Sequence, residues 1–325
     1  IDLSKAEGQD LVKKMVPHVD VVIENFKVGD MARRGLDYET LAGLNPGLIY
    51  CSITGFGQTG PYRDRPGYDF MIQAMGGLMS ITGEPDDKSA GGPQKVGVAL
   101  ADVLTGLYGT IAILAALAER QQSGQGQYID MALLDVQIAS LANQAANYLV
   151  SGNPPGRLGN AHPNIVPYQA FATADGHMIV AVGNDSQFDR LCDVLELTDV
   201  TSDSRYNSNA NRVTHRDALV AVLQNQFQER TTDEWLYALE DAGVPCAPIN
   251  TIDRVFDDPQ VQSRQTRIDL NGMSLVANPI RYSRSDLSYK YPPPMLGEHT
   301  VQVLEELLGM EGQEIKTLQE LGVIS

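Results

Sequence analysis

The chain has 325 residues, 43% of them hydrophobic, an ordinary globular composition with room for two domains or for one large domain carrying an insertion. Twenty-four Lys and Arg stand against 41 Asp and Glu, a formal charge of -17, so long-range repulsion argues against nucleic acid or an anionic membrane as partner, and an anionic ligand requires a local basic cluster. Cys51, Cys192 and Cys246 and the five His residues are dispersed without metal-ligand or CxxC spacing, which points to no metal site and to reduced thiols in the cytoplasm, or in the mitochondrial matrix of a eukaryote.

In chain order, Ile1-Asp2-Leu3-Ser4 reaches charge at once and lacks a signal-peptide pattern, and Ser4-Lys5-Ala6-Glu7 reads as a capping box. It predicts a helix to about Val16, stopped by Pro17. The β-branched run Val19-Asp20-Val21-Val22-Ile23-Glu24 predicts a strand. A short helix over 38–44 follows, and Asn45-Pro46-Gly47 turns the chain into a second strand over 48–53. Helix, strand, helix, strand implies a parallel sheet with crossovers. Because the order begins on a crossover helix, the strand that opens such a domain is expected to be absent from this chain. Residues 96–117 could mimic a membrane span, but they hold Asp102, two Thr and three Gly, so a buried core helix is expected.

Residues 127–131 alternate as a half-buried strand does, and from Val136 onward Ile138, Leu141, Ala145, Tyr148 and Leu149 recur at helical spacing. Asp135 therefore falls in the first turn of a helix directly after a strand, where the macrodipole and unpaired amides favour an anion. It is either a helix cap or an ionised nucleophile. Asn153-Pro154-Pro155-Gly156 suits a domain boundary. Beyond it, a hairpin of 168–173 with 177–182, amphipathic helices over 188–195 and 216–227, a capping box at Thr231-Thr232-Asp233-Glu234 and an extended run over 244–249 predict a smaller α+β unit. Two short helices after Tyr291-Pro292-Pro293-Pro294 close the chain. The expected layout is a large, open, parallel-sheet α/β domain over 1–155, a small α+β domain over 165–272, and a C-terminal return to the large domain over 273–325.

Gly55-Phe56-Gly57-Gln58-Thr59-Gly60 has the GxGxxG spacing, but Pro61, Tyr62, Arg63, Asp64 and Arg65 follow. No apolar-periodic helix then lies beneath a pyrophosphate, and a dinucleotide is not expected. Ligands of open α/β sheets gather beyond the carboxyl ends of the strands. Here those ends are Asn25-Phe26, the run 55–68 and Asp135. Lys27, Arg33, Arg34, Arg63 and Arg65 lie just downstream, as a phosphate-holding cluster or as a solvated face.

Val22-Ile23-Glu24-Asn25-Phe26, Arg33-Arg34-Gly35-Leu36, Ile49-Tyr50-Cys51-Ser52-Ile53-Thr54-Gly55-Phe56-Gly57, Pro66-Gly67-Tyr68-Asp69, Gly124-Gln125-Gly126-Gln127-Tyr128-Ile129-Asp130, Leu134-Asp135 and Leu296-Gly297-Glu298-His299-Thr300 together resemble the class III CoA-transferases. That family includes formyl-CoA transferase, carnitine CoA-transferase and the α-methylacyl-CoA racemases. The resemblance spans essentially the whole chain, and its specificity lies in the order and combination of the pieces. It implies a Rossmann-like large domain, an interlocked homodimer, an acyl-CoA and a carboxylate acceptor as substrates, and no cofactor beyond coenzyme A itself. It places the family's nucleophile on Asp135 and its CoA contacts on Asn25, Phe26, Arg33, Gly67, Tyr68 and Asp69. The family's opening strand and turn have no counterpart here. Its glycine loop corresponds to the shorter Arg157-Leu158-Gly159-Asn160-Ala161-His162-Pro163-Asn164, which makes Asn160 and His162 candidates for substrate contact. The racemases carry His where this chain has Tyr68. Proton transfer at an α-carbon needs groups titrating near neutrality, and Tyr, at about 10, is a poor substitute, so a transferase is expected over a racemase-like isomerase. Tyr50 to Gly55, Ala145-Ala146-Asn147-Tyr148-Leu149 and Ile165-Val166-Pro167-Tyr168-Gln169-Ala170-Phe171 are similar to members that use dicarboxylates, implying succinyl-CoA as donor and a dicarboxylate acceptor. A noncatalytic CoA-binding fragment is the further alternative.

Overall fold

A computed structural model describes residues 1–88 and 91–325. The chain divides into two compact units. The first comprises Ile1–Thr82, Gly92–Arg157 and Pro293–Ser325, and the second Gly83–Gly91 and Leu158–Pro292.

In the first unit, β1 (Val21–Glu24), β2 (Ile49–Thr54) and β3 (Tyr128–Ala132) form a parallel sheet in the order β1-β2-β3, as the alternation of helix and strand implies. Ile49, Tyr50, Cys51 and Ser52 of the central strand are all buried, the pattern of a parallel strand covered on both faces. The register aligns Glu24 with Ser52 and Ser52 with Asp130, so the three carboxyl ends lie level. One face packs Val16, Leu36, Leu41 and Leu48 around Tyr50. A smaller core of Ile72, Ala101 and Leu133 supports the strand ends. The two closing helices, Thr300–Leu308 and Gly312–Glu320, pack Leu304 and Ile315 against Leu11 of the helix Ala6–Met15.

Four expectations are corrected here. Ser4 does not cap the first helix. Its hydroxyl and amide both donate to Asp2 Oδ1, at 2.6 and 2.9 Å, and the helix starts after Lys5. The helix expected from Val136 to Ser151 is two, Leu133–Ala139 and Ala142–Ser151. The Ser140 hydroxyl donates to the Gln137 carbonyl at 2.7 Å, and Ala142 adopts a φ of 47°. The apolar helix is Leu100–Ser123, but it is not a buried core helix. Only Ala101, Thr105, Gly109 and Ala116 are buried, because its apolar residues run round more than one face and a single stripe of small ones packs. The return to the first unit begins at Pro293 rather than at residue 273, since β7 (Arg267–Leu270) and β8 (Met273–Val276) pair into a hairpin belonging to the second unit.

The second unit is α+β. Its antiparallel sheet β4-β5-β6 joins Tyr168–Ala172, His177–Ala181 and Cys246–Pro248. The first two are the expected hairpin, and the expected extended run supplies the third. Helices Asp185–Val194, Arg216–Phe227 and Thr232–Asp241 bury Phe188, Leu223, Phe227 and Trp235 against Phe171 and Met178. Both halves of the Thr231/Glu234 capping box are formed.

Arg212 lies inside this core, only 1% exposed. Its guanidinium donates to the Val166 carbonyl (2.8 Å), the Tyr206 carbonyl (2.9 Å) and Asp185 Oδ1 (2.7 Å), and it sits 4.3 Å from the Phe188 ring centroid. Every nitrogen of a buried cation is thereby satisfied. Arg212→Met strands two carbonyls and should destabilise the second unit by about 3 kcal/mol. Trp235 is the chain's single Trp and is buried in that core, so urea unfolding followed by its fluorescence measures the loss directly. A change below about 1 kcal/mol would show that the network is not holding the unit.

Candidate active site

The level strand ends of the first unit open onto a cleft of about 680 Å³. Each strand contributes to its wall. After β1, the Glu24 carboxylate accepts the Phe26 amide at 2.7 Å, a tight local turn that sets Asn25 and Phe26 at the rim. After β2, the chain makes an excursion over 55–67 and returns on itself. A methyl group on Gly55 would stand 2.4 Å from the Gly67 Cα, and one on Gly67 would stand 2.3 Å from the Gly55 Cα. Two backbones approach so closely only where neither carries a side chain. The next helix starts at Asp69, so the glycine pattern opens no dinucleotide-binding helix, as its sequence context predicts.

After β3, Leu133 lines the cleft as the first residue of its helix, and the Leu134 amide donates to the Gly55 carbonyl at 3.1 Å. Asp135 follows on the first turn, exposed. No side chain caps that helix, and among the described residues nothing hydrogen-bonds or ion-pairs with the Asp135 carboxylate. The capping role open to it in the sequence is therefore not the one it plays.

Of the six CoA-contact candidates, Asn25, Phe26, Arg33, Gly67 and Tyr68 line the cleft, Tyr68 with 70% of its surface exposed. Asp69 does not line it. Its Oδ1 accepts the Ala101 amide at 2.8 Å and its Oδ2 the Gln73 carboxamide at 2.7 Å. The helix Leu100–Ser123, whose N-cap residue makes no side-chain cap, is thus capped across 32 residues of sequence. Asn160 and His162 belong to the second unit. There His162 Nδ1 accepts the Asn164 amide at 3.1 Å, its ring lies 5.2 Å from that of Tyr168, and Asn160 is exposed.

The cleft carries Lys27, Arg33, Arg63 and Arg65 beside Glu24, Asp30, Asp64 and Asp102. Arg33 pairs with Asp30, and Arg63 with Asp64 at 3.5 Å. Arg65 instead stacks 4.0 Å from the Tyr62 ring centroid. Among the described residues neither Arg65 nor Lys27 meets a carboxylate, which leaves these two cations for an anionic ligand. Arg34 of the expected basic cluster is outside the cleft wall, donating to the Asp30 carbonyl at 2.9 Å. Partial burial and the neighbouring Asp69 push the Asp102 carboxyl above the usual carboxylate range, although the residue keeps contact with solvent. A long ligand with anionic groups at one end and an electrophilic carbonyl at the other fits such a constellation.

The sequence pattern of CoA-transferase family III matches residues 1–300. A succinate–glutarate CoA-transferase of Agrobacterium fabrum is 53% identical over 315 residues, 95% of this chain and 78% of that one. The chain belongs to CoA-transferase family III. The human succinyl-CoA:glutarate CoA-transferase is 40% identical, aligned over all of this chain and 74% of its own length. A CAIB/BAIF family protein from Brucella suis has a crystal structure that superposes with a TM-score of 0.84 at 51% identity, covering 94% of this chain and 80% of that one. The expected family and the class of enzyme, a CoA-transferase, are thus established.

For a family III CoA-transferase the carboxylates of the cleft oppose the binding of a polyanionic ester. Because the Asp102 carboxyl is raised, it takes up its proton at a higher pH than an ordinary Asp, and the cleft loses one negative charge as pH falls through that range. Asp102→Asn should bind CoA about threefold more tightly than the parent at neutral pH. The gap should close on acidification, as the parent Asp102 becomes neutral too. Calorimetric titration of both proteins with CoA at two pH values checks this, and equal or weaker binding by the variant at neutral pH would contradict it.

Proposed function

We propose that this chain moves coenzyme A from succinyl-CoA to a dicarboxylic acid through a covalent intermediate on Asp135. The observation that carries the reading is the placement of that carboxylate. It is exposed and unengaged among the described residues, on the helix turn directly following a residue of the cleft wall. The names borne by the relatives from Agrobacterium fabrum and human support the choice of substrates.

In the first step an Asp135 oxygen attacks the thioester carbonyl of the donor and the C–S bond breaks, giving a mixed anhydride and CoA thiolate. The thiolate attacks the Asp135 carbonyl carbon, releasing the donor acid and leaving an aspartyl-CoA thioester. The acceptor carboxylate then attacks that thioester to form a second anhydride. The returning thiolate takes the acceptor's acyl group and frees Asp135. No net proton is needed, and each intermediate conserves the acyl activation that hydrolysis would dissipate. Water must therefore be kept out while amides stabilise each oxyanion. Asn25, Phe26, Arg33, Gly67 and Tyr68 hold the CoA moiety, with Lys27 and Arg65 on its phosphates. Asp69 serves the cleft by fixing the end of the long helix, and Asn160 and His162 are candidate acceptor contacts on the resemblance alone.

Assays of the parent and Asp135→Ala with succinyl-CoA against mono- and dicarboxylates test this. We expect turnover with dicarboxylates only, its loss by at least about a thousandfold in the variant, and hydroxylamine labelling of the loaded parent at Asp135. Labelling elsewhere, or an active variant, would remove Asp135 from the mechanism. CoA binding without turnover by the parent would favour the noncatalytic alternative.

The partner is a second copy in our reading, with the large unit Rossmann-like and the two chains interlocked. Val103, Leu107, Ile111 and Leu114 form an exposed stripe at helical spacing along Leu100–Ser123, and Leu149 and Val150 are also uncovered. This helix is apolar and long enough to cross a membrane, but its place between cleft residues and β3 favours protein as its cover. Light scattering should give twice the mass of the chain, and Ile111→Glu should halve it. A monomeric parent protein would contradict the assembly. The three dispersed free cysteines fit a reducing compartment, the cytoplasm or the mitochondrial matrix.

A further inference from the structure

The excursion over 55–67 is tied down a second time, just beyond its neck. Asp130 Oδ2, on β3, accepts the backbone amide of Gln58 at 3.0 Å across 72 residues of sequence. The Gln58 carboxamide reaches Ser52 Oγ at 2.9 Å, and the Gly57 amide donates to Thr54 Oγ1 at 2.9 Å. Gly57 lies on the same face of β3, where a methyl group on it would stand 3.6 Å from Asp130 Oδ2 and 3.7 Å from the Ala132 Cβ. A solvated strand carboxylate is ordinarily just surface. This one spends an oxygen on a loop amide, and that loop connects two parts of the site. Its entry residue, Gly55, accepts the Leu134 amide next to Asp135, and its exit residue, Gly67, leads into Tyr68 of the cleft.

From this geometry we propose that Asp130 is a positioning residue for the transfer reaction, clamping the loop that sets the turn carrying Asp135 against the cleft. The inference rests on Asp135 being the nucleophile. The carboxylate touches neither substrate nor the reacting atoms in this role. It acts through the Gln58 amide, the Gly55 carbonyl and the Leu134 amide, so its loss should misplace the nucleophile more than it weakens the hold on CoA.

The test is steady-state kinetics of Asp130→Ala and Asp130→Asn with succinyl-CoA and glutarate, alongside thermal midpoints and hydroxylamine labelling. Asp130→Ala should lose at least about tenfold in kcat with KM for succinyl-CoA changed less than about threefold, while keeping the parent's thermal midpoint. Asp130→Asn retains an accepting oxygen and should recover kcat to within about threefold of the parent. If the alanine variant does not fold, Asp130→Ser replaces it, since its hydroxyl is too short to reach the Gln58 amide, and the same loss is expected. Labelling of the parent at Asp135, with Ala or Ser turning over at the parental rate, overturns this inference alone. So does a loss confined to KM, or one that Asn fails to rescue. A parent not labelled at Asp135 overturns the nucleophile assignment and this inference with it.

Discussion

Everything at the cleft depends on two peptide backbones meeting with no side chain between them. Because Gly55 and Gly67 are in mutual contact, the excursion over 55–67 begins and ends at one place. The strand end β2 can then hand its carbonyl to the helix of Asp135 and, from the same spot, send Tyr68 into the wall. A larger residue at either position would have to separate the backbones, and separation would move the two walls of the cleft relative to each other. The small core of Ile72, Ala101 and Leu133 beneath this contact fixes the three helices that meet there.

The charge of the molecule and the charge of its ligand pull in opposite directions. An acidic chain repels a polyanion at long range, so recognition must be local and nearly neutral, and apart from Asp102 the carboxylates of the cleft are occupied by internal partners. Asp30 faces Arg33, Asp64 faces Arg63, and Glu24 holds an amide. Asp69 neutralises a helix end instead of meeting the ligand. Cations and carboxylates in the cleft are thus equal in number, and Lys27 and Arg65 are the two cations that meet no carboxylate among the described residues.

Much of this was legible in the residues. The β-branched runs and the strand–helix alternation announced a parallel sheet, and the Thr231/Glu234 box and the helix over 216–227 were found where periodicity placed them. The same pattern picked out the three strand ends, of which Asn25, Gly55 and Gly67 line the cleft, with Leu133 lining it two residues before Asp135. Interactions between parts distant in sequence were not legible. Nothing local shows that Asp69 caps a helix beginning at Leu100 or that Asp130 reaches Gln58. Apolar content alone misled over Leu100–Ser123, because it measures how much surface wants cover and not whether the same chain supplies it.

The two ends of the chain are fastened together within the first unit. The Asp2 amide donates to the Val323 carbonyl at 2.7 Å, the Lys5 ammonium holds the carbonyls of Leu321 and Gly322, and Leu11 packs with Val323 and Ile324. The second unit is contained almost wholly between Leu158 and Pro292, with its core made from one continuous stretch. The inner body can therefore gather its core from neighbouring parts of the chain, whereas the outer one must bring together segments lying on both sides of it and closes contacts of far greater sequence separation.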